Sequence, residues 1–251
     1  MITLFLDIDN TLIYSHRHDI PSPKRVAEVL NGKEQSYITQ QTFSFFAGEH
    51  GLQTVPVSTR TMQQFRRLEK LIAELNCEYS LICNGAILLH NMESDNRWYE
   101  ETLALAESEL PEIAKAKQWL ISRCGEISTH SADGLLVYAK SPDSKGLASD
   151  LCLFVDNSKV DVLFDHSKIY CIPKTLNKGS AINRFSQRFN VTTSIAAGDS
   201  DFDIPMLNQA GIAIAPKALD DKITNSNKYV VKGRKCFSDE LCSVLGRLLS
   251  T

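Results

Sequence analysis

The fold is decided by a stretch near the start of the chain, Ile2-Thr3-Leu4-Phe5-Leu6-Asp7-Ile8-Asp9-Asn10-Thr11. A short apolar run bounded by polar, turn-forming residues is typical of a strand that is buried on both faces of a parallel sheet. We therefore predict that Asp7 lies at the carboxyl end of a central strand. Open α/β sheets bind their ligands at that edge.

The two acidic residues in this stretch need an explanation. Asp7 and Asp9 are two residues apart, where the chain leaves the predicted strand. Two like charges about 4 Å apart repel by roughly 4 kcal/mol at an effective dielectric constant of 20. Such a pair calls for a cation, a shared proton or wide exposure to solvent. Our working hypothesis is a bound cation.

Composition limits the classes of function. The chain has 251 residues, of which 43% are apolar, enough for one large domain or a core with a smaller second domain. A net charge of −3 provides no basic surface for nucleic acid or an anionic membrane. No apolar run approaches the roughly 20 residues of a membrane span, and the first residues do not have the pattern of a signal peptide. We expect no nucleic-acid partner and no membrane association.

The seven cysteines are odd in number and scattered, with no C-x-x-C pair. Cys83 and Cys171 lie in apolar, strand-like runs, where a small buried thiol is the ordinary case. This pattern predicts a reduced, cytoplasmic protein.

The first part of the chain has strand and helix patterns in alternation. Asn31-Gly32 between two extended runs predicts a hairpin, and Thr39 is placed to cap a short helix. A second strand is expected at Val55–Val57 and a third at Ser80–Cys83. Apolar side chains at helical spacing over residues 65–75 predict an amphipathic helix between them. These elements form a βαβ unit, which is typical of a parallel sheet.

From residue 85 to residue 171 the pattern changes. We expect a hairpin whose second strand contains Arg97–Tyr99, then a long helical stretch over Leu103–Cys124 with Pro111 near an internal start. Further strands and a helix follow at residues 135–138, 145–155, 160–164 and 169–172. Strands that pair through short turns, with helices beside them, indicate an α+β insert.

The parallel pattern then resumes. A helix is expected from Asn177, a strand at Ser194–Ala197, a helix at Ile204–Gln209, two further strands and a last helix from Ser238. We therefore predict a sheet domain formed by residues 1–84 and 172–251, interrupted by an insert at residues 85–171.

Polar side chains stand at the predicted strand ends and helix starts, namely Asp7, Asp9, Ser58, Thr59, Lys178, Asp199, Asp201 and Asp203. In a parallel sheet these groups meet at one edge. Carboxylate oxygens suit Mg²⁺, which favours a phosphate among its remaining ligands. A hydroxyl and an ammonium suit a phosphoryl group, and one carboxylate can act as nucleophile while another handles a proton.

Four of these features together resemble the motifs of the haloacid dehalogenase superfamily. They are D-x-D-x-T over Asp7–Thr11, the hydroxyl of Ser58, Lys178 before a helix, and G-D-x-x-x-D over Gly198–Asp203. The insert between the second and third motifs resembles the subfamily with a C2-type cap. Sucrose-phosphate phosphatase, mannosylglycerate-phosphate phosphatase and phosphomannomutase belong to that subfamily. The resemblance implies an α/β fold, a Rossmann-like parallel-sheet core with an inserted α+β C2-type cap that determines substrate specificity.

The resemblance also implies roles for the acidic residues. Asp7 is expected to be the nucleophile that forms an aspartyl-phosphate, and Asp9 the general acid and base. Mg²⁺ is expected to be held by Asp7, the backbone carbonyl of Asp9 and Asp199, with Asp203 supporting the site.

The remaining roles concern the phosphoryl group. Ser58 is expected to bind it, and Lys178 to neutralise it and to orient Asp7. Relatives usually read Thr-Gly-Arg at the second motif, whereas this chain reads Ser58-Thr59-Arg60. Whether the hydroxyl of Ser58 or that of Thr59 contacts phosphate is therefore left open.

The function expected from this set is a Mg²⁺-dependent phosphatase acting on a small phosphorylated metabolite. Cap type alone favours a phosphosugar. One alternative is a phosphomutase or phosphotransferase of the same fold. Another is a non-catalytic metal-dependent phospho-switch resembling receiver domains, which are about half this length. A third is a glycosyltransferase with Asp7 and Asp9 as a metal-nucleotide clamp, in which Lys178 would have no role.

The sequence does not determine the oligomeric state or the specific substrate. Substrate contacts from the insert are restricted to candidates, each more often a surface or packing residue than a ligand contact: His90, Trp98, Arg123, His130, His166 and Lys168.

Overall fold

The computed structural model describes residues 1–48, 51–132, 134–232 and 236–250, apart from the side chain of Asp165. It divides into two compact units. The core unit comprises Met1–Asp95 and Lys178–Thr251, and the insert unit comprises Asn96–Asn177. Within the described ranges, no helix combines the length and the apolar character needed to cross a membrane.

The strands in chain order are β1 (Ile2–Leu6), β2 (Tyr14–Ser15), β3 (Lys24–Leu30), β4 (Lys33–Thr39), β5 (Leu52–Pro56), β6 (Tyr79–Ile82), β7 (Ile87–His90), β8 (Glu93–Ser94), β9 (Thr129–Ala132), β10 (Leu136–Lys140), β11 (Val160–Asp165), β12 (Lys168–Pro173), β13 (Ser194–Ala197), β14 (Ile212–Pro216) and β15 (Lys228–Val231). The α-helices are α1 (Gln40–Ala47), α2 (Met62–Phe65), α3 (Glu69–Glu74), α4 (Asn96–Ala106), α5 (Leu110–Cys124), α6 (Ser144–Phe154), α7 (Lys178–Phe189), α8 (Ile204–Gln209) and α9 (Phe237–Leu249).

A parallel sheet organises the core unit, with strand order β15-β14-β13-β1-β5. In β1, Leu6 is paired with Ala197 of β13 on one side and with Pro56 of β5 on the other. A parallel bridge between Val57 and Leu81 places β6 beside β5. The position of β1 between β13 and β5, with Leu4, Phe5 and Leu6 fully buried, confirms the prediction of a central strand. Because these strands are parallel, their carboxyl ends share one edge.

Predictions from the local sequence of the core unit were correct at positions where the backbone conformation suits only a few residue types. Asn31 and Gly32 have φ angles of 52° and 73°, the left-handed pair that a two-residue hairpin between β3 and β4 requires. Thr39 caps α1 by accepting a hydrogen bond from the backbone N–H of Thr42. The predicted amphipathic helix is divided by a 3₁₀ turn between α2 and α3, although its apolar face is buried as expected.

The insert unit has an antiparallel sheet with strand order β11-β12-β10-β9. Apolar residues of β10, β11 and β12 pack with α5 and α6 in one buried cluster. The α+β character predicted for this part of the chain is confirmed.

One prediction near the start of the insert was wrong. Residues 97–99 lie in α4, because Trp98, Thr102 and Ala106 are buried at helical spacing. Instead, β7 pairs with β8 and with β6, so residues 85–95 belong to the core unit. The helical stretch expected over residues 103–124 is divided into α4 and α5, and Pro111 lies in the first turn of α5, near the predicted internal start.

Candidate active site

A buried lysine joins two carboxylates at the carboxyl edge of the parallel sheet. The Nζ atom of Lys178 lies 2.5 Å from Oδ1 of Asp7 and 2.6 Å from Oδ1 of Asp203. Asp7 directly follows β1, and its backbone N–H donates to the carbonyl of Ala197 in β13. Asp7, Lys178 and Asp203 are 6%, 1% and 0% exposed. Charged groups are seldom so deeply buried unless they are paired, as here.

Helix packing places the lysine. Lys178 is the first residue of α7, and Gly179 follows it. A Cβ atom at Gly179 would lie 2.5 Å from the carbonyl oxygen of Pro205 in α8. The missing side chain therefore allows α7 and α8 to approach closely, which brings Lys178 within reach of Asp203.

Asp203 organises the loop that follows β13. Its Oδ2 atom accepts hydrogen bonds from the backbone N–H of Asp199 at 3.0 Å and from both the N–H and the hydroxyl of Ser200 at 2.9 Å. Its Oδ1 atom accepts from Lys178. Since both oxygens are engaged, Asp203 is suited to supporting the site, which is the role that the family resemblance implies.

Substitution of Gly198 tests this loop. A Cβ atom at Gly198 would lie 2.4 Å from Cγ of Asp203, whereas one at Gly246 in α9 would have no neighbour within 4 Å. We expect Gly198→Ala to displace the Asp203 carboxylate and to destabilise the protein by about 1–3 kcal/mol. Gly246→Ala, the matched control, should stabilise it by about 0.5–1 kcal/mol, because alanine favours a helix interior. Urea denaturation measures both changes, and equal effects would contradict the predicted contact.

Asp199 completes a group of three acids. Asp7, Asp199 and Asp203 each offer a carboxylate oxygen, and these oxygens lie within 4.8 Å of one another. The hydroxyl of Thr11, which is fully buried, donates to Oδ1 of Asp199 at 3.1 Å. The carboxylates of Asp7 and Asp199, with Asp203 supporting them, offer oxygen donors that fit a hard divalent cation. The group could therefore hold a metal ion.

The electrostatic environment of Asp7 also favours a bound cation. Burial raises the pKa of Asp7 well above its ordinary value, the negative charges of Asp203 and Asp199 raise it further, and Lys178 opposes them. For Lys178, burial lowers the pKa, but Asp203 and Asp7 raise it more, so the lysine remains charged. The ammonium of Lys178 therefore does not fully compensate the negative charge of ionised Asp7, and a second cation would stabilise that ionised form.

The residues of the second motif lie at the edge of the sheet where Asp7 also lies. The backbone N–H of Val57 donates to the carbonyl of Leu6, so Ser58 leaves the sheet at the same edge as Asp7. Ser58 is 1% exposed, and its Oγ accepts from the backbone N–H of Arg60 at 3.2 Å. That contact uses the hydroxyl as acceptor, so its O–H can still donate. Thr59 is half-buried.

The carboxylate of Asp9 turns toward Arg60. Nε of Arg60 lies 2.8 Å from Oδ2 of Asp9, and Nη2 lies 2.8 Å from Oδ1, a bidentate ion pair. The side chain of Asp9 is 50% exposed. Asp201 is also separate from the buried acids, in a surface ion pair with Lys222. The structure therefore brings together Asp7, Asp199, Asp203 and Lys178.

Sequence reasoning did not single out Arg60 or Glu28, which the structure connects to Asp9. Arg60 belongs to the second motif, and Glu28 lies in the β3–β4 hairpin, outside every motif. Nη2 of Arg60 lies 3.0 Å from Oε2 of Glu28. A buried glutamate has no signal in a single sequence.

The residues suggested for substrate contact are dispersed. His90 lies in β7 of the core unit, where it pairs with Glu78 at 3.0 Å and stacks on Tyr79. Trp98 is buried.

In the insert unit, the ring of Tyr138 contacts the rings of His130 and Tyr170, and Lys168 lies over the ring of Tyr138. Strand alternation puts this aromatic row on the sheet face opposite the one that packs on α5 and α6. The remaining two lie elsewhere in the insert unit: Arg123 lies over the ring of Trp119, and His166 has a φ angle of 49°.

A family model matches part of the chain. Its description is haloacid dehalogenase-like hydrolase, and it matches residues 156–235. That range includes Lys178 and the stretch Gly198–Asp203. No curated protein matches the chain.

Solved structures share the fold over nearly the whole chain. The sucrose-phosphatase from Synechocystis sp. PCC6803, in complex with sucrose and phosphate, gives a TM-score of 0.64 at 15% identity, with 98% of this chain and 97% of that chain covered. The subclass IIB sugar phosphatase BT4131 gives 0.63 at 13%, with 99% of each covered. A haloacid dehalogenase-like hydrolase from B. subtilis gives 0.56 at 14%, with 99% and 100% covered. The family model covers residues 156–235, and the solved structures share the fold over nearly the whole chain, in agreement with the resemblance to haloacid dehalogenase-like hydrolases.

Proposed function

We propose that this chain is a Mg²⁺-dependent phosphatase that hydrolyses a small phosphorylated metabolite, a phosphosugar, through an aspartyl-phosphate. One observation carries the proposal: a buried lysine joins Asp7 to Asp203 beside Asp199, at the carboxyl edge of a parallel sheet. Carboxylate oxygens and a fixed positive charge lie together in this arrangement, which supports a role in phosphoryl transfer.

The first step transfers the phosphoryl group to the enzyme. An oxygen of the Asp7 carboxylate forms a bond to phosphorus while the bond from phosphorus to the leaving oxygen breaks. The electron pair of the broken bond stays on the leaving oxygen, which takes a proton from the carboxyl group of Asp9 and departs as an alcohol. Lys178 and the hydroxyl of Ser58 or Thr59 bind the phosphoryl oxygens.

The second step returns the enzyme to its starting state. A water molecule gives a proton to Asp9 and attacks phosphorus, and the bond between phosphorus and Asp7 breaks. The products are inorganic phosphate and the free Asp7 carboxylate, with the proton again on Asp9. A phosphotransferase would differ only in using a second hydroxyl group in place of water.

Mg²⁺ would be held by Asp7, Asp199 and the backbone carbonyl of Asp9, with Asp203 supporting them. When bound, it would supply positive charge that lets an anionic carboxylate approach an anionic phosphate. The fit rests on the three clustered carboxylates and on the raised pKa of Asp7.

Two observations favour a sugar phosphate among phosphate monoesters. Two of the structures with the same fold are a sucrose-phosphatase and a sugar phosphatase. One face of the antiparallel sheet in the insert unit carries a row of aromatic rings with an ammonium, formed by His130, Tyr138, Tyr170 and Lys168. Aromatic rings suit the apolar face of a sugar ring, so we propose that this unit is a cap that selects the substrate.

Phosphate release from a panel of sugar phosphates and simpler monoesters tests the proposal. We expect release with Mg²⁺, none with a chelator, and highest kcat/KM for a sugar phosphate. Transfer to a second sugar without release of inorganic phosphate would identify a phosphotransferase. A stable phosphorylated protein without turnover would support the switch alternative and overturn the proposal.

Thermal unfolding gives an independent prediction for the metal. A ligand that binds only the folded protein stabilises it by about 2.7 kcal/mol at a concentration one hundred times its Kd. We expect Mg²⁺ to raise the midpoint of the wild-type protein and to have little effect on Asp199→Asn. Asp201→Asn, which alters an exposed acid of the same loop, is the control and should respond like the wild type. Equal responses of all three proteins would contradict a metal at this site.

A further inference from the structure

We propose that Glu28 is a positioning residue that holds Arg60 against Asp9 and so fixes the carboxylate that handles the leaving-group proton. This inference rests on the proposed function, since Asp9 is the general acid and base of that mechanism. It assigns a role to the β3–β4 hairpin, which none of the four motifs includes.

Arg60 contacts both carboxylates through one planar group. Its Nε and Nη2 atoms each lie 2.8 Å from an oxygen of Asp9, and Nη2 also lies 3.0 Å from Oε2 of Glu28. A bidentate guanidinium–carboxylate pair fixes orientation as well as distance. The Asp9 side chain is 50% exposed, and its bidentate pair with Arg60 restrains the orientation of the carboxylate.

Glu28 reaches Arg60 because the hairpin is irregular. Residues that follow one another in a regular strand point to opposite faces, yet Ala27 and Glu28 are both buried. The pairing of β3 with β4 shifts register on both sides of Glu28. Such irregularities re-aim a side chain and often lie next to active sites. Here the shift turns a glutamate inward.

The glutamate is held from several sides. It is 5% exposed, and it accepts from Nη1 of Arg67 at 3.3 Å and from the hydroxyl of Ser36 at 3.3 Å, in addition to Arg60. Burial of a charged group costs desolvation free energy, and even a well-paired buried charge gives little net stability. A role in fixing the position of Arg60 explains why a glutamate is buried here.

The test compares two phosphate monoesters with different leaving groups. An alkyl phosphate needs a proton on its departing oxygen, whereas 4-nitrophenyl phosphate releases a stable anion and needs little help. The parameter is kcat/KM, because it covers the steps up to release of the alcohol or phenol. For Glu28→Gln we expect a fall of about 10–100-fold with the alkyl ester and less than about 3-fold with the aryl ester.

Two further variants complete the experiment. Arg60→Lys keeps the charge but loses the planar fork, and we expect the same selective fall; it also keeps the test decisive if Glu28→Gln does not fold. Glu74→Gln is the control, because it breaks the 3.2 Å ion pair between Glu74 and Arg25 of the same hairpin without reaching Asp9. We expect it to leave both esters unchanged.

The outcomes separate this inference from the proposed function. Equal falls with both esters, or no fall with either, in a variant that retains the wild-type circular dichroism spectrum would overturn the positioning role and leave the phosphatase proposal standing. A wild-type protein that hydrolyses no phosphate monoester would overturn both.

Discussion

An Asp7→Asn protein is expected to release phosphate at least about 10⁴-fold more slowly than the wild type while keeping its fold. The amide has the shape of the carboxylate but cannot attack phosphorus to form the acyl phosphate. Lys178 keeps Asp203 as an ionic partner, so the buried ammonium is not left alone. Steady-state assays with Mg²⁺ and mass spectrometry of the trapped phospho-enzyme measure the loss.

Asp201→Asn is the matched control for this variant. Asp201 belongs to the loop after β13, but its carboxylate forms an exposed ion pair with Lys222. We expect near wild-type activity from it. Full activity of Asp7→Asn would refute the nucleophile assignment, and a similar loss in both variants would indicate general damage to the loop.

The same Asp7→Asn substitution has a predicted effect on pH dependence. Burial and the neighbouring acids raise the pKa of Asp7 above its ordinary value of 3.8, so in metal-free protein its protonated form is favoured by folding. Lowering the pH from the raised pKa toward 3.8 should therefore add stability to the wild type through this group. Asp7→Asn lacks that contribution. With chelator present, the free energy of unfolding of the wild type relative to that of Asp7→Asn should therefore increase as the pH falls from the raised pKa toward 3.8.

Lys178→Met is expected to lose both activity and stability. The substitution leaves the carboxylates of Asp7 and Asp203 buried without the ammonium between them. Removing one partner of a buried ionic group typically costs about 3–5 kcal/mol. For a chain of this length that corresponds to a fall of about 6–20 °C in Tm. Phosphate release should fall with it, because the fixed positive charge at the phosphoryl site is lost.

Two further variants serve as controls for Lys178→Met. Lys222→Met removes an exposed lysine from its pair with Asp201 and should change stability by less than about 0.5 kcal/mol. The double variant Lys178→Met, Asp7→Asn should recover part of the lost stability, because it removes one of the two uncompensated carboxylates. A Lys178→Met protein as stable as the wild type would contradict the buried triad.

Local patterns in the sequence predicted most of the fold. Strands such as β1 and β13 and the Asn31-Gly32 hairpin depend on residues adjacent in the chain, so periodicity and turn chemistry suffice to place them. The error at residues 97–99 has the opposite cause. Trp98 and its neighbours are residue types that are frequent in strands. Here the burial of one face of α4 stabilises a helix instead.

The sequence by itself determined which residues stand at the strand ends, and parallel topology then implies that Asp7, Lys178, Asp199 and Asp203 share one edge. Only the tertiary structure decided that Lys178 lies between Asp7 and Asp203, and that Arg60 joins Asp9 to Glu28. The reason is physical. Spacing along a chain encodes local geometry, whereas a hydrogen bond between Arg60 and Glu28 depends on the register shift that turns one side chain of a distant hairpin inward.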